Sequence, residues 1–212
     1  MASIKTFDEH VAQYEQWYED HPEAYQSEIL ALQEQFLELP QNIRGIEVGL
    51  GTGRFSEPLG IKEGIEPSAE MAKRAMKRGI EIMKGTAERL PYAAMQFDFV
   101  LFVTVCHLKN LKKALSEARR VLKPDGAIII GFLDKERLIA QSYMARRHKS
   151  NFYEKAVFYS VEEMEQLLKK AGFKNFKYNQ TLFDNLEEIK NIQSPKEGTG
   201  EGSFVVVKAQ KK

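Results

Sequence analysis

The sequence predicts a three-layer α/β domain: a mostly parallel seven-stranded sheet with an antiparallel last strand, helices on both faces, and two helices ahead of the first strand. Three observations carry that expectation. From Ile43 onward, short apolar runs alternate with helical patterns, the signature of parallel strands joined by right-handed crossovers. Several of the runs are too uniformly apolar to have a wet face, so helices must cover both sides. The last two strand-like runs have no full-length crossover helix between them, so the final strand returns antiparallel.

The elements follow in order. Thr6 with Glu9 reads as a capping box, and Phe7, Val11, Tyr14 and Tyr18 as the apolar stripe of a first helix. Pro22 opens a second helix carrying Tyr25, Ile29, Leu32 and Phe36, and Pro40 ends it. Strands are expected over residues 44–48, 63–65, 80–83, 97–103 and 127–133. Between them lie a short helix near Phe55, one from Ser68 closed by Gly79, and one from Asn110 to Leu122. Lys123-Pro124-Asp125-Gly126 reads as a turn. Ser160 and Glu163 form another capping box, heading a stripe of Val161, Met164, Leu167 and Leu168 that stops at Gly172. Runs at 173–183 and 203–209 supply the last strands, with a short helical stretch over 186–192 and a weakly structured segment over 194–202 between them. There is no internal repeat, so one domain is expected.

Composition narrows the function. Lys and Arg number 31 against 30 Asp and Glu, a formal net charge of +1. Proteins that hold phosphate backbones or anionic lipid surfaces need a positive excess, so neither nucleic acid nor membrane is an expected partner. A hydrophobic fraction of 43% with only 14 Gly and 7 Pro excludes disordered and collagen-like chains. No apolar stretch reads as a signal peptide or a membrane span, so a cytoplasmic protein is expected. The single cysteine, Cys106, has nothing beside it to lower its pKa and reads as a small buried residue. His10, His21, His107 and His148 form no pair at metal-ligand spacing, so no metal is expected.

The strand Gly45-Ile46-Glu47-Val48 runs into Gly49-Leu50-Gly51-Thr52-Gly53-Arg54. Glycines at alternate positions let a backbone turn sharply and approach a ligand where a Cβ would collide. A dinucleotide fingerprint would have glycine where Arg54 stands, which favours another nucleoside cofactor over NAD. Glu66 then stands at the carboxyl end of the second strand, where it could accept both ribose hydroxyls in bonds worth about 1.5 to 3 kcal/mol each. Each feature alone also fits a tight turn or a solvated carboxylate; together they indicate a nucleoside site.

On these residues the sequence resembles the class I S-adenosylmethionine-dependent methyltransferases, in their small-molecule branch, over about residues 43–133. Glu47 to Gly53 looks like the first family motif, Gly64 to Met71 the second, and Gly85 to Pro91 the third. The run from Phe97 to His107 looks like the fourth-strand motif, and Arg120 to Gly126 like the closing signature. The resemblance implies a Rossmann-like fold with S-adenosylmethionine as cofactor. It implies that Gly49, Gly51 and Gly53 pass beneath the methionine part and that Glu47 orients its amino group. Glu66 would hold the ribose, Pro67 an adenine face, Thr86, Ala87 and Glu88 the adenine edge, and Val103 a further cofactor contact. Two departures stand out: Thr86 replaces the family's frequent aspartate, and Pro58 leaves a short first crossover.

The implied division is a helical lid over 1–40, a cofactor core over 41–134, a substrate-recognition insertion over 135–160, and a C-terminal helix and strands over 161–212. Tyr14, Trp17 and Tyr18 read as lid residues or as core packing of an amphipathic helix. Tyr143, with Arg146, Arg147, His148, Phe152 and Tyr153, lies where the family inserts substrate-binding structure. His107 is the candidate catalytic base. After the fourth strand the sequence reads Thr104-Val105-Cys106-His107, not the Asn-Pro-Pro-aromatic run of amino-methyltransferases that act on nucleic acid. The expected reaction is methyl transfer to nitrogen or oxygen of a small molecule. The alternatives are a non-catalytic sensor or scaffold that keeps the cofactor site, and a nicotinamide-dependent oxidoreductase.

Overall fold

The structure, a computed structural model, describes residues 4–212. The apolar runs form β1 (Gly45–Val48), β2 (Glu63–Ile65), β3 (Glu81–Met83), β4 (Phe97–Val103) and β5 (Leu122–Leu133), all parallel. After them come β6 (Phe173–Thr181), β7 (Lys196–Glu197) and β8 (Phe204–Lys211). The sheet order is β3-β2-β1-β4-β5-β8-β6-β7, with β8 antiparallel to both β5 and β6. The expected seven strands are therefore joined by an eighth, since two residues of the weakly structured segment pair with Asn179 and Gln180 at the sheet edge.

The helices are α1 (Ile4–Glu9), α2 (Val11–Asp20), α3 (Pro22–Phe36), α4 (Ala69–Lys77), α5 (Leu111–Val121), α6 (Leu138–Ala145) and α7 (Val161–Lys170). Alternation along the strands decides what each helix covers, because successive side chains point to opposite faces. Val100 and Phe102 of β4 pack with Leu115 of α5 and Leu168 of α7, while Phe99 and Leu101 pack with Ile29 and Leu32 of α3. Three helix starts are capped as their sequences predict. Met71 N donates to Ser68 Oγ, Lys113 N to Asn110 Oδ1, and Ser160 and Glu163 exchange bonds of 3.2 and 2.9 Å.

Five expectations need correction. The N-terminal region holds three helices instead of two, because the backbone departs from helical geometry at His10 and splits the first. Thr6 lies inside α1, so the Thr6–Glu9 capping box does not form at a helix start. No helix forms near Phe55; the segment is a series of turns, as a crossover this short with Pro58 in it cannot complete a helix. Lys123-Pro124-Asp125-Gly126 does not separate α5 from a strand. It bulges within β5 between the Phe97–Leu122 and Phe99–Ala127 pairs, with Asp125 left-handed at φ 57°. The helical stretch over 186–192 is reduced to one 3-10 turn, Leu186–Glu188.

Among the described residues no helix is long and apolar enough to cross a membrane. Leu32, fully buried between α3 and the sheet, tests the weight of that contact. Leu32→Ala is expected to cost about 2 to 5 kcal/mol of unfolding free energy in urea titration. A loss under about 1 kcal/mol would mean that α3 is dispensable to the core.

Candidate active site

The strand order reverses direction at β1, whose neighbours are β2 on one side and β4 on the other. At such a switch point the chain leaves the carboxyl ends of adjacent strands in opposite directions and opens a crevice. The glycine loop rims it. Gly49 N and Leu50 N both donate to Ile65 O, at 2.8 and 3.1 Å, which turns the loop over β2. Gly51, at φ 58°, donates its N–H to Glu66 Oε2 at 2.8 Å, and Ser68 N donates to Glu66 Oε1 at 2.7 Å. One carboxylate thus ties the loop to the head of α4. A Cβ on Gly51 would lie 3.2 Å from the Tyr14 hydroxyl, so α2 closes directly onto the loop.

A cavity of about 470 Å³ extends from this rim. Gly49, Gly51, Glu66, Pro67, Thr86, Ala87 and Glu88 line it on the β1–β2 side, and Val103 lies at the end of β4. The wall continues towards the ends of β5 and β8 through Leu133, Ile139, Leu182 and Phe204. Rings form the roof. The Trp17 indole N–H donates to Tyr143 Oη at 3.1 Å, Tyr143 stacks on Tyr153 at 4.3 Å, and Phe152 contacts Phe7 and Tyr14. His107 lies between Phe7 and Tyr153, with ring centroids 5.3 and 5.6 Å away. The residues implied for cofactor, lid and catalysis meet at this cavity except Glu47 and Gly53; of the insertion, Arg147 and His148 stay outside it, with Arg147 donating to Glu154 O and Ala156 O. Glu47 is buried behind the wall and accepts from Ser56 Oγ. A Cβ on Gly53 would lie 2.5 Å from Ile80 Cδ1 and 3.3 Å from Ala75 Cβ, so this glycine serves packing against α4 and the residue just ahead of β3.

The roof is fastened by polar contacts. Asp8 of α1 accepts from Ser68 Oγ at 2.6 Å and from Glu70 N at 3.2 Å, adding a second cap to α4. Arg54 binds Glu15 at 2.8 Å and Glu19 of α2, and its guanidinium lies over the Tyr18 ring. Arg78 bridges Glu15 and Glu57. Burial would raise the Glu15 carboxyl, but Arg54, Thr52 and Arg78 hold it below its ordinary value. The residue that argued against a dinucleotide site is thus the latch between the first crossover and α2.

Burial works differently on the groups around the cavity. It pushes Glu66 up to about 7 against the pull of its two N–H donors. It pushes Glu47 up to about 8, helped by the charge of Glu66 and opposed by Ser56. It lowers His107 to about 4, so the imidazole is neutral at pH 7, and its enclosed Nδ1 has no partner among the described residues. Cys106 is buried among Ala140, Ala156 and Phe158, and its thiol is pushed up to about 12.

Thr104 and Glu28 are among the wall residues that escaped the sequence reading. Thr104, just after β4, holds a left-handed conformation at φ 59°, which is uncommon outside glycine and clusters at functional sites. Glu28 reaches the cavity from α3. A signal for Glu28 existed: its neighbours at i±3 and i±4, namely Ala24, Tyr25, Ala31 and Leu32, are all apolar, so a carboxylate sits on the buried face.

A glycine loop, a clamped acidic residue at the second strand and a cavity at the switch point define a nucleoside-cofactor enzyme of the three-layer α/β class. The residues fit S-adenosylmethionine: Gly49 has open space where a Cβ would stand, and Glu66 faces the cavity. Residues 46–130 match the family described as a methyltransferase domain. A Thermotoga maritima crystal structure described as a SAM-dependent methyltransferase, possible histamine N-methyltransferase, is 45% identical. The match covers 98% of this chain and 99% of that one, with a TM-score of 0.93. An uncharacterized protein of Methanocaldococcus jannaschii is 42% identical over 98% of this chain and 100% of its own. Phosphoethanolamine N-methyltransferase 2 of Haemonchus contortus, solved with S-adenosyl-L-methionine, shares the fold at 16% identity and a TM-score of 0.63, over 86% of this chain and 52% of that one. The chain belongs to the class I S-adenosylmethionine-dependent methyltransferases. It is an enzyme, and its cofactor is S-adenosylmethionine.

The raised Glu47 carboxyl generates a pH test. Its folded value of about 8 lies above the ordinary 4.5, so the folded protein holds the proton more tightly than the unfolded chain. Its contribution to stability is complete below about pH 4.5 and is lost as pH rises through about 8. Glu47→Gln is therefore expected to raise the melting temperature of the free protein at about pH 8 and to change it little at about pH 5. An equal shift at both pH values would exclude Glu47 as the titrating group.

Proposed function

We propose that the protein methylates nitrogen or oxygen of a small molecule, the acceptor attacking the sulfonium methyl in line. The observation that carries this reading is the continuity of one roofed cavity from Glu66 to the rings of Trp17, Tyr143 and Tyr153. A chamber closed by α1 and α2 suits a ligand of small-molecule size, and the net charge of +1 gives no reason to expect nucleic acid or membrane as partner. The description of the Thermotoga maritima relative as a possible histamine N-methyltransferase favours nitrogen. We take the protein to act in the cytoplasm.

When bound, the cofactor supplies an electrophilic methyl group. In our reading Glu66 accepts the ribose hydroxyls, Pro67 lies against the adenine, and Thr86, Ala87 and Glu88 meet its edge. Gly49, Gly51 and Val103 leave room for the methionine part. Glu47 and Gly53 support this loop from behind, Glu47 through Ser56 and Gly53 by close packing under α4. Of the expected 1–40 lid, whose residues 1–3 lie outside the described ones, α1 and α2 serve as the roof and α3 as a core helix, with 41–134 as the cofactor core, 135–160 as the acceptor-recognition insertion and 161–212 as the closing helix and strands. Tyr14, Trp17, Tyr18 and Tyr143 exclude water and align the acceptor, and alignment supplies much of the rate of such a displacement. His107, neutral through burial, offers a hydrogen bond to the acceptor and is a weak base.

Incubation with methyl-labelled S-adenosylmethionine and a panel of amines, phenols and hydroxy acids tests the reading. Label should pass to a small acceptor; transfer only to protein or nucleic acid would overturn it. Glu66→Ala is expected to weaken S-adenosylhomocysteine binding by about 10- to 1,000-fold in calorimetry. Hydroxyl donors arriving at Glu66 favour its carboxylate, so binding lowers its pKa from about 7 and releases a proton. Affinity should accordingly be constant above about pH 7 and decline below it, and Glu66→Gln should flatten that dependence. A wild-type affinity that is constant between about pH 5.5 and 8 would remove Glu66 from the ribose role.

A further inference from the structure

Glu28 is a buried acid on the cavity wall outside the set of residues assigned to the cofactor. Its residue is 7% exposed, and its carboxylate has no hydrogen bond or ion pair among the described residues. Its position is firmly held. Ala24, Ala31 and Leu32 on the same face of α3 are buried in the core, and Asn179 Nδ2 donates to Ala31 O at 2.9 Å. A charged group in such a place is costly unless a partner arrives. Elsewhere in the molecule the enclosed acids have partners: Glu15 is bound by Arg54 and Arg78, Glu47 by Ser56 and Glu66 by two backbone N–H groups.

The surroundings say what the missing partner is. Trp17, Tyr18, Tyr143 and Tyr153 share the wall with Glu28, and aromatic faces attract cations. Burial alone pushes the Glu28 carboxyl up to about 8, with no lysine or arginine close enough to oppose it. Lys109, Arg146 and Lys149 also line the cavity, but all three are exposed. A ligand that reaches the β5–β8 side therefore meets no enclosed Lys or Arg among the described residues, only an acid that an arriving positive charge would ionise.

We propose that Glu28 is the specificity determinant for the methyl acceptor and selects a small organic molecule that carries a cationic group, such as a protonated amine, held between its carboxylate and the surrounding rings. The cation is the recognition handle, and the methyl passes to an unprotonated nitrogen or oxygen of the same molecule. This rests on the reading of the protein as a small-molecule methyltransferase. The ligand supplies the charge that Glu28 lacks, and the rings exclude water from the pair. Neutral isosteres of the same shape leave the carboxyl unpaired, and anionic ones oppose it.

Binding measured separately from turnover tests the proposal. The whole chain, saturated with S-adenosylhomocysteine, is titrated with 2-phenylethylamine and 2-phenylethanol, and with imidazole-ethylamine and imidazole-ethanol. The cation of each pair should bind at least about tenfold more tightly than its alcohol. Glu28→Gln, the same in shape, should abolish that preference while S-adenosylhomocysteine affinity stays within about twofold. Equal binding of cation and alcohol by the wild-type protein, or no binding of any cation, would overturn the proposal without any variant. Retention of the preference in Glu28→Gln would overturn it too. If that variant fails to fold, Glu28→Met, which removes the acid and keeps the length of the side chain, is compared instead, and a preference unchanged from wild type counts against Glu28. Cation binding without transfer of label to any acceptor sinks the methyltransfer reading and leaves the cation site standing. Transfer with no cation preference sinks only the role of Glu28.

Discussion

β1 lies between strands that the chain reaches by leaving in opposite directions, and no helix can cross the gap above their carboxyl ends. Something must nevertheless close the backbone there, because unpaired N–H groups at a strand end are costly to bury. Glu66 is the group that does so. Its oxygens accept from Gly51 of the loop and from Ser68 at the head of α4, so one side chain sets the shape of the loop, the start of the helix and the floor of the cavity. With the bonds from Gly49 N and Leu50 N to Ile65 O, those two fix the glycine loop relative to β2 and α4.

The roof depends on the same floor. α1 reaches Ser68 through Asp8, and α2 reaches the first crossover through Glu15, Arg54 and Arg78. Across the cavity, Trp17 reaches Tyr143 of α6. Tyr18 is buried with Phe55 and Ile29, so α2 is at once a wall of the site and part of the core. The two readings of this helix, lid and core, are thus not exclusive, and loss of the helix would unbury side chains worth about 1.5 to 3 kcal/mol each.

Three acids near the cavity are raised by burial, and each reflects a different use of an enclosed carboxyl. Glu66 keeps backbone partners, Glu47 keeps a serine, and Glu28 keeps none. Preorganised sites commonly hold such unfavourable groups because the ligand supplies the compensation. His107 follows the same logic with the opposite sign, since burial holds it neutral.

The succession of strands along the chain, their parallel sense and the cofactor loop were legible because they rest on local chemistry: apolar runs, capping residues at Ser68, Asn110 and Ser160, and glycines where φ is positive. Glu66 was legible because its place at the strand end follows from the run before it. What failed was also local but marginal. The split at His10, the turns around Phe55 and the bulge at Asp125 depend on how a short segment is held by its neighbours, and propensity over a few residues is too weak to override that. Tyr143 could be placed only in an insertion, and Glu28 in a helix. That Trp17 bonds Tyr143, that Arg54 latches α2, and that Glu28 faces the cavity without a partner were decided by the tertiary structure. Sequence spacing says which residues share a face of one element; only packing brings faces of distant elements together and determines which buried charge is left unpaired.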